Sequence, residues 1–289
     1  MNIITFDLEE WFHILELPDR MPPAINGPLT SHTRQSLDGY LALLQAHKVT
    51  CTFFVLGAIA ERNPEVVLQI HLAGHEIASH GYDHELITQL TPEKLKSDLM
   101  RSKYILEEII GCEVSGYRGP GFSIRQHNLW AFDAIAEAGY AYDATVYPGK
   151  HGHGGLPGLP VSPFFLKTEK GSVLEEYPVT LADMLIGKTA FAGGGYFRLF
   201  PFAVISSLYK KMNEMNMPVI SYFHARDFDP GVPRVRMPLH RHFKCYVNLK
   251  STFSKLERLL KTYPCCSIRD WRRGGTILPA VQLDRNSID

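Results

Sequence analysis

The chain has 289 residues and is short of several things that would assign it quickly. Its five cysteines show no C-x-x-C spacing, and the adjacent Cys265 and Cys266 have poor geometry for an ordinary disulfide. A disulfide framework is therefore not expected, and a reducing cytoplasm with inert thiols is the simplest setting. Charge of one sign is not in excess: 30 basic residues balance 30 acidic ones, and neither sign forms a long block. That argues against nucleic acid as a partner, because neutralising phosphates takes a clustered basic surplus. The longest apolar run, CTFFVLGAIA (residues 51–60), is far below the roughly 20 residues of a membrane helix, so no integral membrane protein is expected. The first residues enter a strand pattern with no signal-peptide features, which points to the cytoplasm or to membrane attachment only through partners. No G-x-G-x-x-G follows the first strand and no H-E-x-x-H occurs, leaving a dinucleotide site and a zincin-type peptidase without support.

What is present is an ordinary globular balance, 45% hydrophobic and 21% charged, enough for one large α/β domain. Short β-branched or aromatic runs (NIITF, VTCTFFV, HEIAS, VSGYR, YAYDATV, SVLEEYPV and VISYFH) alternate with helical patterns. In SLDGYLALLQAH, Leu37, Tyr40, Leu41 and Leu44 form one stripe. In the next helix Thr91 is the N-cap, Pro92 the first helical residue and Gly111 the stop, with Leu95, Leu99, Leu106 and Ile110 on the buried face. Six or more β-then-α units predict a parallel sheet covered by helices, as a barrel or an open doubly wound sheet. Two glycine-rich segments, 149–160 and 191–201, read as surface loops. A last helical pattern follows a Pro/Arg-rich connection, so residues 231–289 are expected to pack as an extension on a core of residues 1–230, in a single domain without repeats.

Four segments carry groups able to do chemistry, each after a predicted strand. In ITFDLEEWFH, alternation puts Asp7 and Glu9 on one face, while Glu10 reads more simply as a helix cap or solvated charge. In HEIASHGYDHE, His80 and His84 are spaced to face one centre, whereas His75 reads as a packing or capping residue. In GYRGPGF, the Arg118 guanidinium can hold and orient a carboxylate, and the flanking glycines allow close backbone approach. In VISYFHARDFDP, His224 stands beside carboxylates, where a histidine can serve as a proton donor. Asp7 and Glu9 together read as functional, Arg118 reads as readily as a structural salt bridge, the His80/His84 spacing alone is a weak signal, and His224 alone is more simply structural; their shared position at the carboxyl ends of strands is what makes them a constellation. Two histidines and a carboxylate leave open positions on a metal, and a second carboxylate and a histidine complete the groups for metal-assisted hydrolysis of an acyl group.

In sequence and order, TFDLEEWFH, HEIASHGYDHE, GYRGPGFSI, AEAGYAYDATVYP and YFHARDFDP resemble the polysaccharide deacetylase family, also called the NodB-homology or carbohydrate esterase 4 family. GGGYFRLFP and HFKCYVNLKSTFSKLERLL resemble its branch found in bacterial surface-polysaccharide loci. The resemblance implies a distorted (β/α) barrel of about seven parallel strands. It implies a divalent metal, zinc first with Co2+, Ni2+, Fe2+ or Mn2+ as alternatives, and removal of acetyl from N-acetylated sugars. Carried over, His80 and His84 match the metal pair, Arg118 the arginine that orients the catalytic carboxylate, and His224 the general acid. DLEE departs from the commoner T-F-D-D-G; alternation assigns Asp7 as base and Glu9 as metal ligand, with the reverse and a Glu9/Glu10 pairing left open. The usual aspartate–tryptophan motif behind the arginine is not evident, and Asp143 is the candidate to support it. Gly121 and Phe122 stand where the common pattern has tyrosine, and Trp11, Gly121 and Phe122 are expected to border the substrate. The expected function is metal-dependent N-deacetylation of a sugar in a surface polysaccharide or its precursor. A metal-independent cyclic-amide hydrolase of the same fold and a non-catalytic sugar-binding homologue are the alternatives, and a homo-oligomer is left open.

Overall fold

The first strand, β1 (Asn2–Leu8), is buried at every position, as befits a parallel strand covered on both faces. The computed structural model describes residues 1–15, 29–184 and 187–283. Eleven further strands follow: β2 (Thr52–Val55), β3 (Glu76–Ser79), β4 (Gly116–Tyr117), β5 (Tyr142–Asp143), β6 (Phe164–Lys167), β7 (Val173–Glu176), β8 (Ala182–Met184), β9 (Gly187–Thr189), β10 (Ile220–His224), β11 (Cys265–Cys266) and β12 (Ala280–Gln282). The helices are α1 (Ser31–His47), α2 (Gly57–Arg62), α3 (Pro64–Leu72), α4 (Pro92–Ile110), α5 (Trp130–Glu137), α6 (Gly194–Leu199), α7 (Phe202–Glu214), α8 (Leu239–Tyr246), α9 (Thr252–Thr262) and α10 (Ile268–Arg273).

Seven strands are joined by parallel ladders in the order β10-β1-β2-β3-β4-β5-β7, matching the predicted (β/α) architecture. Alternation then sorts the side chains. Ile3, Phe54, Ala78, Tyr142 and Ile220, from strands spread across this order, meet in one interior cluster. They can do so only because the sheet curls into a distorted barrel. The opposite parity, Ile4, Phe6 and Leu8, packs outward with Leu37, Leu41, Leu95 and Leu99 of the surrounding helices. The helix signals act as read: Thr91 accepts from the Lys94 N–H, Pro92 opens α4, and Gly111 ends it at φ +68°. Ile110 is only half-buried, at the frayed end of the stripe.

Three features differ from the sequence reading. β6 runs antiparallel to β7 and is extended by β12. Residues 191–201 are not a surface loop: Phe191 and Phe197 are fully buried and the segment forms α6. The glycines allow this, since a Cβ on Gly193 would stand 2.4 Å from the Tyr222 ring, so only glycine can pass so close over β10. The segment after residue 230 does more than rest on the core, because β11 pairs with β1 and β12 with β6; residues 284–289 lie outside the described part.

Candidate metal centre and active site

The ladders bring the candidate groups to one level of the barrel. Asp7 is in register with His224 of β10, while His80 and Arg118 follow directly on β3 and β4. Asp7 has the inward parity of Ile3 and Thr5. One residue past the strand, the Glu9 N–H bonds back to the Asp7 carbonyl at 3.1 Å, turning the chain so that both carboxylates face a common cavity.

Glu9 Oε1 lies 3.0 Å from His80 Nε2 and 2.9 Å from His84 Nε2, and all three residues are buried. The loop that brings His84 back is shaped by left-handed residues, Gly81 at φ +77° and His84 at φ +58°. Asp98 of α4 holds it by accepting the Tyr82 N–H at 2.9 Å. His80 Nδ1 donates to the Arg118 carbonyl at 2.7 Å, which leaves the Nε2 lone pair aimed at Glu9. A lone pair facing a carboxylate oxygen at 3.0 Å is stable only with a proton or a cation between them. Two imidazoles and one carboxylate converging on a point therefore fit a divalent metal. A second overlapping triad, Asp7, Glu9 and His224, is also close enough, but its Asp7 already faces a guanidinium, which disfavours a further cation there.

Burial alone would push Glu9 up, but attraction to His84 and His224 and the bonds to His80 and His84 outweigh it and hold its carboxyl well below the usual range. Burial would lower His80, yet the bond to Glu9 and the charges of Asp7 and Glu9 raise it. His84 is lowered by burial in spite of Glu9.

Arg118 Nη1 donates to Asp7 Oδ1 and to Thr5 Oγ1, both at 2.7 Å, and its guanidinium lies 4.0 Å from the Phe54 ring centre. The other Asp7 oxygen, Oδ2, faces His224 Nε2 at 3.6 Å. His224 Nδ1 stands 3.2 Å from Asp227 Oδ2, and Asp227 in turn pairs with Arg198 at 3.1 Å. Burial opposes ionisation of Asp227, but Arg198 and His224 overcome it and depress its carboxyl strongly. Arg226 Nη1 holds the second Glu9 oxygen at 3.1 Å.

The cavity over these groups measures about 780 Å3 and is lined by Asp7, Glu9, His80, His84, Arg118, Gly121, Phe122 and His224 among others. Trp11 is the exception among the sequence candidates. It does not line the cavity but packs against Val232, Tyr246 and Leu249, because the chain leaves extended geometry after Glu10 and enters a short 3-10 turn, Trp11–His13. His13 takes the inward place, its ring 5.4 Å from that of His84. Asp143 supports the arginine turn indirectly. It accepts from Thr145 Oγ1 at 2.6 Å, and that oxygen accepts the Gly119 N–H at 2.7 Å. Glu10 caps α1, accepting the Thr30 N–H at 2.7 Å and the Thr33 hydroxyl at 2.6 Å. His75 accepts the Cys51 N–H at 3.3 Å, a structural contact. The sequence reading placed a carboxylate beside His224, which is Asp227, three residues on, but missed the roles of Arg198, Arg226, Tyr222 and Glu176. Tyr222 shares the parity of His224 and was legible; the other three depend on partners distant in sequence.

Residues 26–142 match the polysaccharide deacetylase family, and residues 144–272 match a domain of unknown function, DUF3473. Residues 26–142 of the chain are thus similar to the polysaccharide deacetylase family. The site is assembled from three parts: Asp7 and Glu9 precede the deacetylase match, His80, His84 and Arg118 lie inside it, and His224 lies in the second match. The chain is 36% identical over 115 residues to a peptidoglycan-N-acetylglucosamine deacetylase of Bacillus cereus, covering 40% of this chain and 50% of that protein. It is 32% identical over 95 residues to the peptidoglycan-N-acetylmuramic acid deacetylase PdaC of Bacillus subtilis, covering 33% of this chain and 20% of that protein. The match thus spans half or less of those relatives. In fold, it resembles a candidate polysaccharide deacetylase of Mycobacterium smegmatis, with a TM-score of 0.66 at 21% identity, over 98% of this chain and 93% of that one.

Proposed function

We propose that this chain is a metal-dependent N-deacetylase that hydrolyses the acetamide of an N-acetylated sugar in a surface polysaccharide or its precursor. The observation that carries the reading is the division of the two first-strand carboxylates: Glu9 converges with His80 and His84, while Asp7 converges with Arg118 and His224. The similarity to the named peptidoglycan deacetylases supports the substrate class.

Glu9, His80 and His84 would hold the metal, and the imidazole–carboxylate donor set suits zinc. When bound, the metal supplies Lewis acidity to the acetamide carbonyl and to water. Asp7, oriented through Oδ1 by Arg118, offers Oδ2 to accept the proton of the attacking water. His224, oriented through Nδ1 by Asp227, offers Nε2 to protonate the departing amine, so that acetate and a free amino sugar result. Gly121 and Phe122 border the acetamide, and Asp143 acts by holding the Arg118–Gly119 turn through Thr145. No helix among the described residues is long and apolar enough to cross a membrane. The free cysteines fit the proposed cytoplasmic site of action.

The test is acetate release from N-acetylated sugars by protein as purified, after chelation, and after restoring zinc. Release that is lost and regained supports the reading. Release that persists in fully chelated protein, or metal-independent opening of a cyclic amide, overturns it.

A further inference from the structure

The charge balance of the whole chain is not repeated at the cavity. Among the described residues its lining holds seven lysines and arginines against three carboxylates, in a chain with 30 of each sign overall. The carboxylates, Asp7, Glu9 and Asp227, all lie on the floor, and each is engaged by a guanidinium. The mouth is different. Lys150 in the 149–160 loop, Lys188 in β9 and Lys244 on α8 line it and are exposed. None of the three forms an ion pair among the described residues.

From these positions we infer that the acetylated sugar is recognised as part of an anionic conjugate, whose phosphoryl or carboxylate charge sits at the mouth against Lys150, Lys188 and Lys244. This deepens the deacetylase reading and rests on it only for the acetamide end. Three compact ammonium groups around one opening concentrate an anion there, and walls of low dielectric focus their field. The wall bearing Lys244 is fixed in place. Arg198, itself buried, donates to the carbonyls of Lys244, Cys245 and Val247 at 2.9, 3.0 and 2.9 Å. His151 and His153 line the same cavity. Burial, the His153 ring and the charges of Lys244 and Arg125 lower His151 to about 4. The His151 ring is thus neutral at pH 7 and suited to sugar hydroxyls.

Calorimetric binding tests this without requiring turnover. The probes are methyl N-acetylglucosaminide, N-acetylglucosamine 1-phosphate and an N-acetylglucosamine–glucuronate disaccharide. One or both anionic probes are expected to bind about tenfold or more tighter than the neutral one at low salt, with the advantage shrinking as ionic strength rises. The ratio should approach one in a Lys150→Gln, Lys188→Gln, Lys244→Gln triple variant. Preference for the phosphate alone identifies a glycosyl phosphate, and preference for both anions a generally anionic glycan. Equal binding of all three probes, no detectable binding of either anion, or a preference insensitive to both salt and the substitutions overturns the inference. The deacetylase reading fails separately: anion-selective binding with no acetate release from any probe leaves the lysine site standing and removes the catalysis.

Discussion

His80 donates its Nδ1–H to the backbone carbonyl of Arg118 at 2.7 Å, while the Arg118 guanidinium holds Asp7 at 2.7 Å. One residue thus serves both carboxylates of the first strand, through its main chain for the proposed metal cradle and through its side chain for the proposed base. The two services are separable by substitution. Arg118→Lys keeps the carbonyl but replaces a planar fork by a point charge. The protein should keep its metal and lose about tenfold or more in acetate release; elemental analysis and an acetate assay check this. Loss of metal in that variant would mean that the side chain, too, holds the cradle together.

Glu10 differs from Glu9 by one position and by its whole role. Glu10→Ala removes acceptors from the Thr30 N–H and the hydroxyls of Thr30 and Thr33 at the start of α1. Denaturant unfolding should show a loss of about 1–3 kcal/mol, with metal content unchanged. A metal-free Glu10→Ala protein would revive the Glu9/Glu10 pairing.

Asp143 and Glu176 are buried carboxyls beside each other. Burial is the chief cause that pushes Asp143 up to about 6, and it raises Glu176 well above the usual range together with the Asp143 charge. A raised carboxyl pKa in the folded state means that the fold binds protons which the unfolded chain has released. The contribution of Asp143 to stability therefore falls as pH rises from about 4 to about 6, by on the order of 3 kcal/mol for a shift of this size. Asp143→Asn keeps an acceptor for Thr145 and cannot ionise. In chelated protein, its unfolding free energy should decline less over that interval than that of the parent. An equal or steeper decline would show that Asp143 is not the group responsible.

Trp11 packs on the segment after residue 230 rather than on substrate. Trp11→Ala should leave KM within about twofold and lower stability by about 1–3 kcal/mol, less than for a fully buried aromatic. A large rise in KM with unchanged stability would return Trp11 to the sugar.

Much of this site was legible because its signals are local. Alternation placed Asp7 and Glu9 together, and Thr91, Pro92 and Gly111 mark their helix ends by chemistry confined to a few residues. Trp11 was misplaced because it was read as bordering the substrate from its place beside the first motif, whereas a 3-10 turn after Glu10 carries its ring away from the cavity. The glycines of 191–201 read as a loop because their reason, the Tyr222 ring, lies in another strand. Arg198 and Glu176 carry no local pattern at all. Arg198 matters through carbonyls 46 to 49 residues away, and Glu176 through the Val146 N–H 30 residues away.

The central claim is that Glu9, not Asp7, completes the metal cradle of His80 and His84. Elemental analysis of Asp7→Asn, Glu9→Gln and His84→Ala beside the parent tests it most directly. About one divalent metal per chain in the parent and in Asp7→Asn, little or none in Glu9→Gln and His84→Ala, and no acetate release from any of the three variants is the predicted pattern. An Asp7→Asn protein that loses its metal, or a Glu9→Gln protein that keeps it, would contradict this division of roles.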